Sequence, residues 1–226
     1  MFELEAWLSE WRAAVMGSFA GRVRFLGLQG SRARGEARDK SDIDAVLVLD
    51  KLAPGDVFTY RSAVAGLPER DKLCGFVSGW DELESWPGGE LWQFCLDTEP
   101  LYGSLAPIAA RLTESDVRES ALTGAGAVYH GCIHNLMHGQ SEDVYSELLK
   151  SAFFALRAVH ALRTGDMVRT RAGLANALTG VERSIVLMEL SGGLEERSEA
   201  LLDWAGGLLR ELRNIRNERA GDVCGL

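Results

Sequence analysis

Leu28-Gln29-Gly30-Ser31 and, ten residues after Ser31, Ser41-Asp42-Ile43-Asp44-Ala45-Val46-Leu47-Val48 are the two stretches on which the reading of this chain turns. A Gly-Ser corner stands before two carboxylates spaced i, i+2, and the second stretch is an apolar, β-branched run that reads as a strand. On a strand, residues i and i+2 share a face, so Asp42 and Asp44 project side by side while Ile43 and Ala45 point the other way. Two carboxylates on one face repel each other unless a cation lies between them, and a divalent metal with its taste for oxygen ligands answers that need. The Gly-Ser corner offers what a metal-bound phosphate requires: backbone approach without a Cβ, free N–H groups and a hydroxyl.

Around this core the chain divides in two. Phe2, Trp7, Trp11, Val15 and Phe19 recur at helical spacing, which predicts an opening helix that stops near Gly21. Strands are expected over 22–29, 42–49 and 72–78, with a last one near 100–103. Residues 30–40 read as a turn with a short helix, 56–67 and 81–86 as helices, and 90–97 is ambiguous between helix and strand. After Pro107 strand-like runs cease, and helical periodicity takes over across 114–138, 142–164, 171–191 and 194–218. The expected architecture is α+β: a small mixed-sheet domain over 1–107, an all-α helical-bundle domain over 108–219, and a loose tail at 220–226. A cleft between two such domains is where a small molecule ordinarily sits.

Composition narrows the function. The 226 residues carry a formal charge of −9, with 46% hydrophobic and 25% charged residues, and the pI is near 5.0. General nucleic-acid binding calls for a basic face and is not expected; an acidic protein suits small and, above all, cationic substrates. Cys74, Cys95, Cys132 and Cys224 show no CxxC pairing, which indicates neither a zinc site nor a disulfide framework and fits reduced thiols in the cytoplasm. No basic leader precedes an apolar core and no run reaches the roughly 18 apolar residues of a membrane span. A P-loop is excluded by the lack of Gly-Lys-Ser/Thr, and a dinucleotide fingerprint by glycines that do not read GxGxxG.

Gly30-Ser31-Arg32-Ala33-Arg34-Gly35 followed by Ser41-Asp42-Ile43-Asp44 resembles the signature of the DNA polymerase β-like nucleotidyltransferase superfamily, in particular its small bacterial members. The resemblance implies that Asp42 and Asp44 hold Mg²⁺ on ATP or another nucleoside triphosphate. It also implies that Gly30, Ser31 and Arg32 or Arg34 hold the phosphates. The helical half resembles that of the two-domain aminoglycoside and lincosamide nucleotidyltransferases, through Tyr145-Ser146-Glu147-Leu148-Leu149-Lys150-Ser151-Ala152-Phe153-Phe154-Ala155-Leu156-Arg157 and then Thr164-Gly165. In some of these enzymes a Glu on this helix is the general base for the acceptor hydroxyl and a Lys about one turn later contacts phosphate. Glu147 and Lys150 match those roles at i, i+3, where the kanamycin-type pattern is i, i+4, and Asp143 is a substitute on the same face.

The implied activity is transfer of a nucleoside monophosphate, AMP from ATP, to a hydroxyl of a small aminoglycoside-type antibiotic; a homodimer is compatible with it. Two other readings stand beside it: an antitoxin-type enzyme that modifies a partner protein, and a catalytically silent nucleotide-binding regulator. The second arises because many superfamily members carry a third carboxylate on the next strand, where this chain has Cys74 or Gly75. Asp71 and Asp81 flank that strand and Asp97 lies further on, so the third acid either comes from the helical domain, with Glu147 first in line, or is missing.

Further clusters have plainer explanations. His130, His134 and His138 share one helical face without an evident closing ligand, which reads as a polar surface before a zinc site. Arg157-x-x-His160 is too short for the nuclease motif of helical toxins and reads as part of an amphipathic core helix. The six tryptophans read as packing residues, with Trp80 or Trp92 within reach of a ligand.

Overall fold

The computed structural model describes the backbone of residues 3–223 and the side chains of residues 3–213. The chain forms two compact units, Met1–Pro87 with Phe94–Arg111, and Gly88–Gln93 with Leu112–Leu226. The chain passes from one unit to the other after Pro87, Gln93 and Arg111, and the passage after Gln93 falls inside one helix.

In the first unit, helix α1 (Leu4–Ser18) buries Trp7, Leu8, Trp11 and Val15 along one stripe. The Trp7 and Trp11 rings stack at 6.4 Å, and their indole N–H groups donate to the Pro68 carbonyl (2.7 Å) and the Tyr60 hydroxyl (3.1 Å). The stripe packs on a four-stranded mixed sheet of order β3-β2-β1-β4, made of β1 (Val23–Gln29), β2 (Ile43–Leu49), β3 (Leu73–Gly79) and β4 (Glu99–Tyr102). Strand β1 pairs antiparallel with β2 and β4, while β2 and β3 run parallel. Parallel neighbours need a crossover, which α3 (Pro54–Ala63) and the 3₁₀ turn Arg70–Lys72 supply. Central β2 is buried along almost its whole length, as its unbroken apolar run requires; Asp44 is the half-buried exception. The short helices α2 (Gly30–Ala33), α4 (Trp80–Glu84) and α6 (Ala106–Ala109) complete this unit.

The ambiguous 90–97 segment is helical: α5 (Gly88–Asp97) follows Pro87 and ends at the residue before Thr98, where β4 begins its approach. Gly88–Gln93 belongs to the helical unit, and Phe94–Asp97 to the sheet unit, where Phe94 meets Phe76 at 5.0 Å.

The second unit is all-helical: α7 (Glu114–His134), α8 (Glu142–Thr164), α9 (Arg171–Ala177), α10 (Gly180–Leu187) and α11 (Leu194–Val223). A Thr113–Asp116 capping box starts α7, and Gly165, with φ +80, ends α8 in the left-handed conformation. The α8 stripe of Leu148, Leu149, Ala152, Phe153, Leu156 and Val159 is buried, as its period requires. Gly124 lets α7 approach α8 closely, since a Cβ there would stand 2.9 Å from that of Ala155.

Two expectations are corrected. The periodic stretch 171–191 is two helices: Leu178 is extended (ψ 161), Gly180 has φ +56, and the apolar positions Leu174, Leu178, Ile185 and Val186 stay buried across the break. The 114–138 stretch changes to a π-helical turn over Asn135–Gly139, closed by left-handed Gln140 and by the buried Asn135 amide, which bonds both the Ser141 N–H and its carbonyl. Helix α11 is described to Val223, and residues 224–226 of the segment read as a tail lie outside the described residues, as does Cys224. Among the described residues, no helix is long and apolar enough to cross a membrane.

Candidate active site

The last residue of β1, Gln29, stands in register opposite Asp44 of β2, so the chain leaves the sheet directly beside that carboxylate. It turns at Gly30, whose φ of +72 is open to glycine and costly to any other residue. A second constraint coincides with the first. A Cβ on Gly30 would occupy the place of the Asp44 carboxylate. Ser31 follows on the single turn of α2, half-buried beside this contact.

Asp42 is exposed just before β2, and Asp44 is half-buried two residues on. Burial raises the Asp44 carboxyl above the ordinary carboxylate range, and the charges of Asp42 and Asp97 push it the same way; Arg34 and Arg32 pull it back. A carboxylate left in that state by its neighbours is one that gains from a cation. Arg32 binds backbone here: its Nε donates to the Asp42 carbonyl at 2.9 Å and its Nη2 to the Ser41 carbonyl at 2.7 Å. It therefore ties the Gly-Ser corner to the segment that carries the Asp pair.

A third carboxylate belongs to this cluster. Asp97, the last residue of α5, is 8% exposed, and its Oδ2 accepts the Gly30 N–H at 3.1 Å. Arg34 Nη1 donates to both Asp97 oxygens at 2.8 Å, and Arg34 Nε pairs with Glu36 at 2.9 Å. The next residue, Thr98, accepts the Gln29 side-chain amide at 2.7 Å. On β3, by contrast, the residue in register with Asp44 is Cys74, and it is exposed. Its neighbour Gly75 lies against the Ala45 backbone, where a Cβ has no room. Asp71 sits in the 3₁₀ turn and Asp81 in α4. Asp97 has no local signal that places it at the site, because it is separated by 67 residues from the glycine it binds.

Glu147 and Lys150 lie on α8 of the helical unit and pair with each other at 2.6 Å, with side chains 68% and 56% exposed. Asp143, Ser146, Glu147 and Ser151 border an open groove of about 420 Å³ along that helix. Arg157 is fully buried, donating to Gln93 Oε1 (2.7 Å) and the Arg169 carbonyl (3.3 Å) over the Phe153 and Phe154 rings. His160 is 7% exposed, so both residues of the Arg-x-x-His string belong to the core. His134 and His138 meet edge to face at 5.0 Å on an exposed surface. Trp7, Trp11, Trp92 and Trp204 are buried, while half-buried Trp80 lies under Arg24.

No protein-family model matches the sequence, and comparison with curated proteins gives no match. Among solved structures, the chain is similar to the spectinomycin adenyltransferase AAD(9) from Enterococcus faecialis, solved with ATP and spectinomycin. The TM-score is 0.56 at 12% identity, over 91% of this chain and 99% of that one. The likeness is one of fold. It extends to nearly the whole of both chains, and the α+β order expected from the periodicity, sheet domain first and helices after, is the order found.

Proposed function

We propose that this chain is a Mg²⁺-dependent nucleotidyltransferase that moves AMP from ATP to a hydroxyl of a small acceptor of the aminoglycoside type. The observation that carries the proposal is the contact between the Gly30 corner and the Asp44 carboxylate, with Asp42 beside it. A phosphate-accepting turn and a metal-accepting carboxylate pair are useful together only if metal and phosphate arrive together, as in a metal–nucleoside triphosphate.

The donor set suits Mg²⁺. Among the described residues, no group of three or more His, Cys, Asp and Glu side chains forms a metal cage. Mg²⁺ is ordinarily held by one or two carboxylates, with water and substrate phosphates completing the shell. Bound between Asp42 and Asp44, the ion would offset charge at the α-phosphorus and ease the departure of pyrophosphate. The chain's own groups do the rest. Gly30 admits the phosphates without a Cβ, the Ser31 hydroxyl donates to them, and Arg32 keeps Asp42 in place through its carbonyl. Glu147 takes the proton of the acceptor hydroxyl in this proposal, and Lys150 contacts phosphate. Their mutual ion pair is exposed and worth no more than about 1 kcal/mol, so opening it costs little.

The acceptor class is supported by three features: the net charge of −9, the groove on α8 with two carboxylates and two serine hydroxyls, and the fold shared with an enzyme solved with ATP and spectinomycin. The test is mass spectrometry after incubation with ATP, Mg²⁺, spectinomycin and an aminoglycoside panel. The expected product is one antibiotic heavier by a single adenylate, absent with Asp42→Asn or Asp44→Asn. Adenylate found on a protein would instead select the protein-modifying reading.

A second reading has an observation of its own. Cys74 stands where a strand-borne acid would face Asp44, and Asp97 is occupied by Arg34 and Gly30. Those facts favour a nucleotide-binding regulator without turnover. Tight Mg²⁺-dependent ATP binding with no adenylated product would establish it.

A further inference from the structure

We infer that Asp97 is the positioning residue of the phosphate corner: it holds the Gly30 peptide in its left-handed turn and takes no part as metal ligand or base. The anatomy is local. Thr98 holds the Gln29 side chain and Asp97 holds the Gly30 N–H, so the last residue of α5 and the one after it fasten the last residue of β1 and the one after it. Directly after them, Glu99 enters β4 opposite Leu28, which continues the same fastening as sheet.

Three features separate this role from the alternatives. Both Asp97 oxygens face N–H donors, Arg34 on each and Gly30 on one, leaving the carboxylate directed at protein rather than at a metal. The ion pair with Arg34, whose side chain is 10% exposed against 11% for Asp97, is shielded from water and holds the carboxyl group turned toward the corner. And a carboxylate in the last position of a helix opposes the helix dipole, so local helix chemistry gives no reason for an acid there. The Gly30 bond supplies one. Since Gly30 in turn fits against the Asp44 carboxylate, fixing the Gly30 peptide fixes the floor on which the phosphates rest.

The kinetic consequence rests on the proposed nucleotidyl transfer; the conformational one does not. In the ligand-free protein, the Gly30 amide should exchange with solvent at least about tenfold faster in Asp97→Ala than in the natural chain, as expected for loss of a charge-assisted bond. Asp97→Asn keeps a carbonyl acceptor and should stay near the natural rate. In the transfer reaction, Asp97→Ala should raise the KM for ATP about tenfold or more, with kcat changed much less, because the corner holds phosphates alike in the ground and transition states. Asp97→Asn should recover most of that affinity. Unchanged Gly30 exchange in Asp97→Ala overturns the inference, including when that variant merely melts earlier. So does loss of kcat at constant KM, which would mark Asp97 as ligand or base. If the natural chain transfers no nucleotide, the functional proposal fails while the amide measurement still decides the role of Asp97.

Discussion

Replacing Gly30 by alanine perturbs the site at its tightest point, and its cost can be built from two parts. The backbone at φ +72 is penalised for an L-residue with a Cβ by about 1–2 kcal/mol. The new methyl also falls on the Asp44 carboxylate, which must leave its rotamer at a cost of about 0.5–1.5 kcal/mol. Gly30→Ala should therefore lower unfolding stability by about 2–3 kcal/mol in denaturant titration. The displaced carboxylate is a metal ligand in the proposed mechanism, and a shift of that kind costs a transfer rate about a hundredfold. Gly126→Ala is the matched control: it lies inside α7, a Cβ there meets nothing within 4 Å, and it should gain roughly 0.5–1 kcal/mol. A Gly30→Ala protein as stable as the natural one, with Mg²⁺·ATP binding intact, would show that neither the left-handed turn nor the contact with Asp44 constrains this position.

Other outcomes follow from the same geometry. Asp44→Asn removes a carboxyl whose affinity for protons is raised by burial and by Asp42 and Asp97, so it should raise the melting temperature without metal. The gain should grow as pH rises past the ordinary carboxylate range, where the folded chain must hold the Asp44 charge; differential scanning calorimetry from pH 4 to 8 reads it. Asp56 behaves oppositely. Hydrogen bonds from Arg22 and the Ala53 N–H lower it to about 2, so its stabilising contribution is present above the ordinary value and is lost as pH falls through about 2. Acid unfolding of Asp56→Asn and the natural chain should consequently differ near neutrality and converge at the acid end. Arg157→Met keeps an apolar stem on α8 but leaves Gln93 Oε1 without its donor, which should cost about 1–3 kcal/mol in chemical denaturation.

The parts of this fold that were legible in sequence share one property: their signal is local. The apolar, β-branched stretch that contains Ile43–Leu49 reads as a strand, and the α8 stripe from Leu148 to Val159 shows its period over about three turns. The Gly30-Ser31 corner and the Asp42/Asp44 pair were legible because a turn, a gap and a strand lie within about twenty residues of one another. What escaped depended on distant partners. Leu91, Trp92 and Phe94, spaced i, i+1 and i+3, leave 90–97 ambiguous between helix and strand until the two units that claim them are known. The joint at Leu178–Gly180 was hidden because buried positions continue in step across it, and only Thr-Gly at the restart hints at a cap. Sequence alone names Asp97 without placing it at the site, for the reason that makes it informative. An acid ending a helix has no local benefit, and its partners Gly30 and Arg34 are more than sixty residues away. The resemblance points to Glu147 of the helical unit as the base, and no local signal announces that Asp97 also lies within electrostatic reach of Asp44 in the sheet unit.

In the proposed mechanism Asp42 and Asp44 serve one bound Mg²⁺·ATP. Isothermal titration of the chain with ATP, run with Mg²⁺ and with excess chelator, measures that directly. Saturable one-site binding that requires Mg²⁺, and that is lost in Asp42→Asn and Asp44→Asn proteins that still fold, is the predicted result. Binding that ignores the metal, or that survives both substitutions, would contradict it.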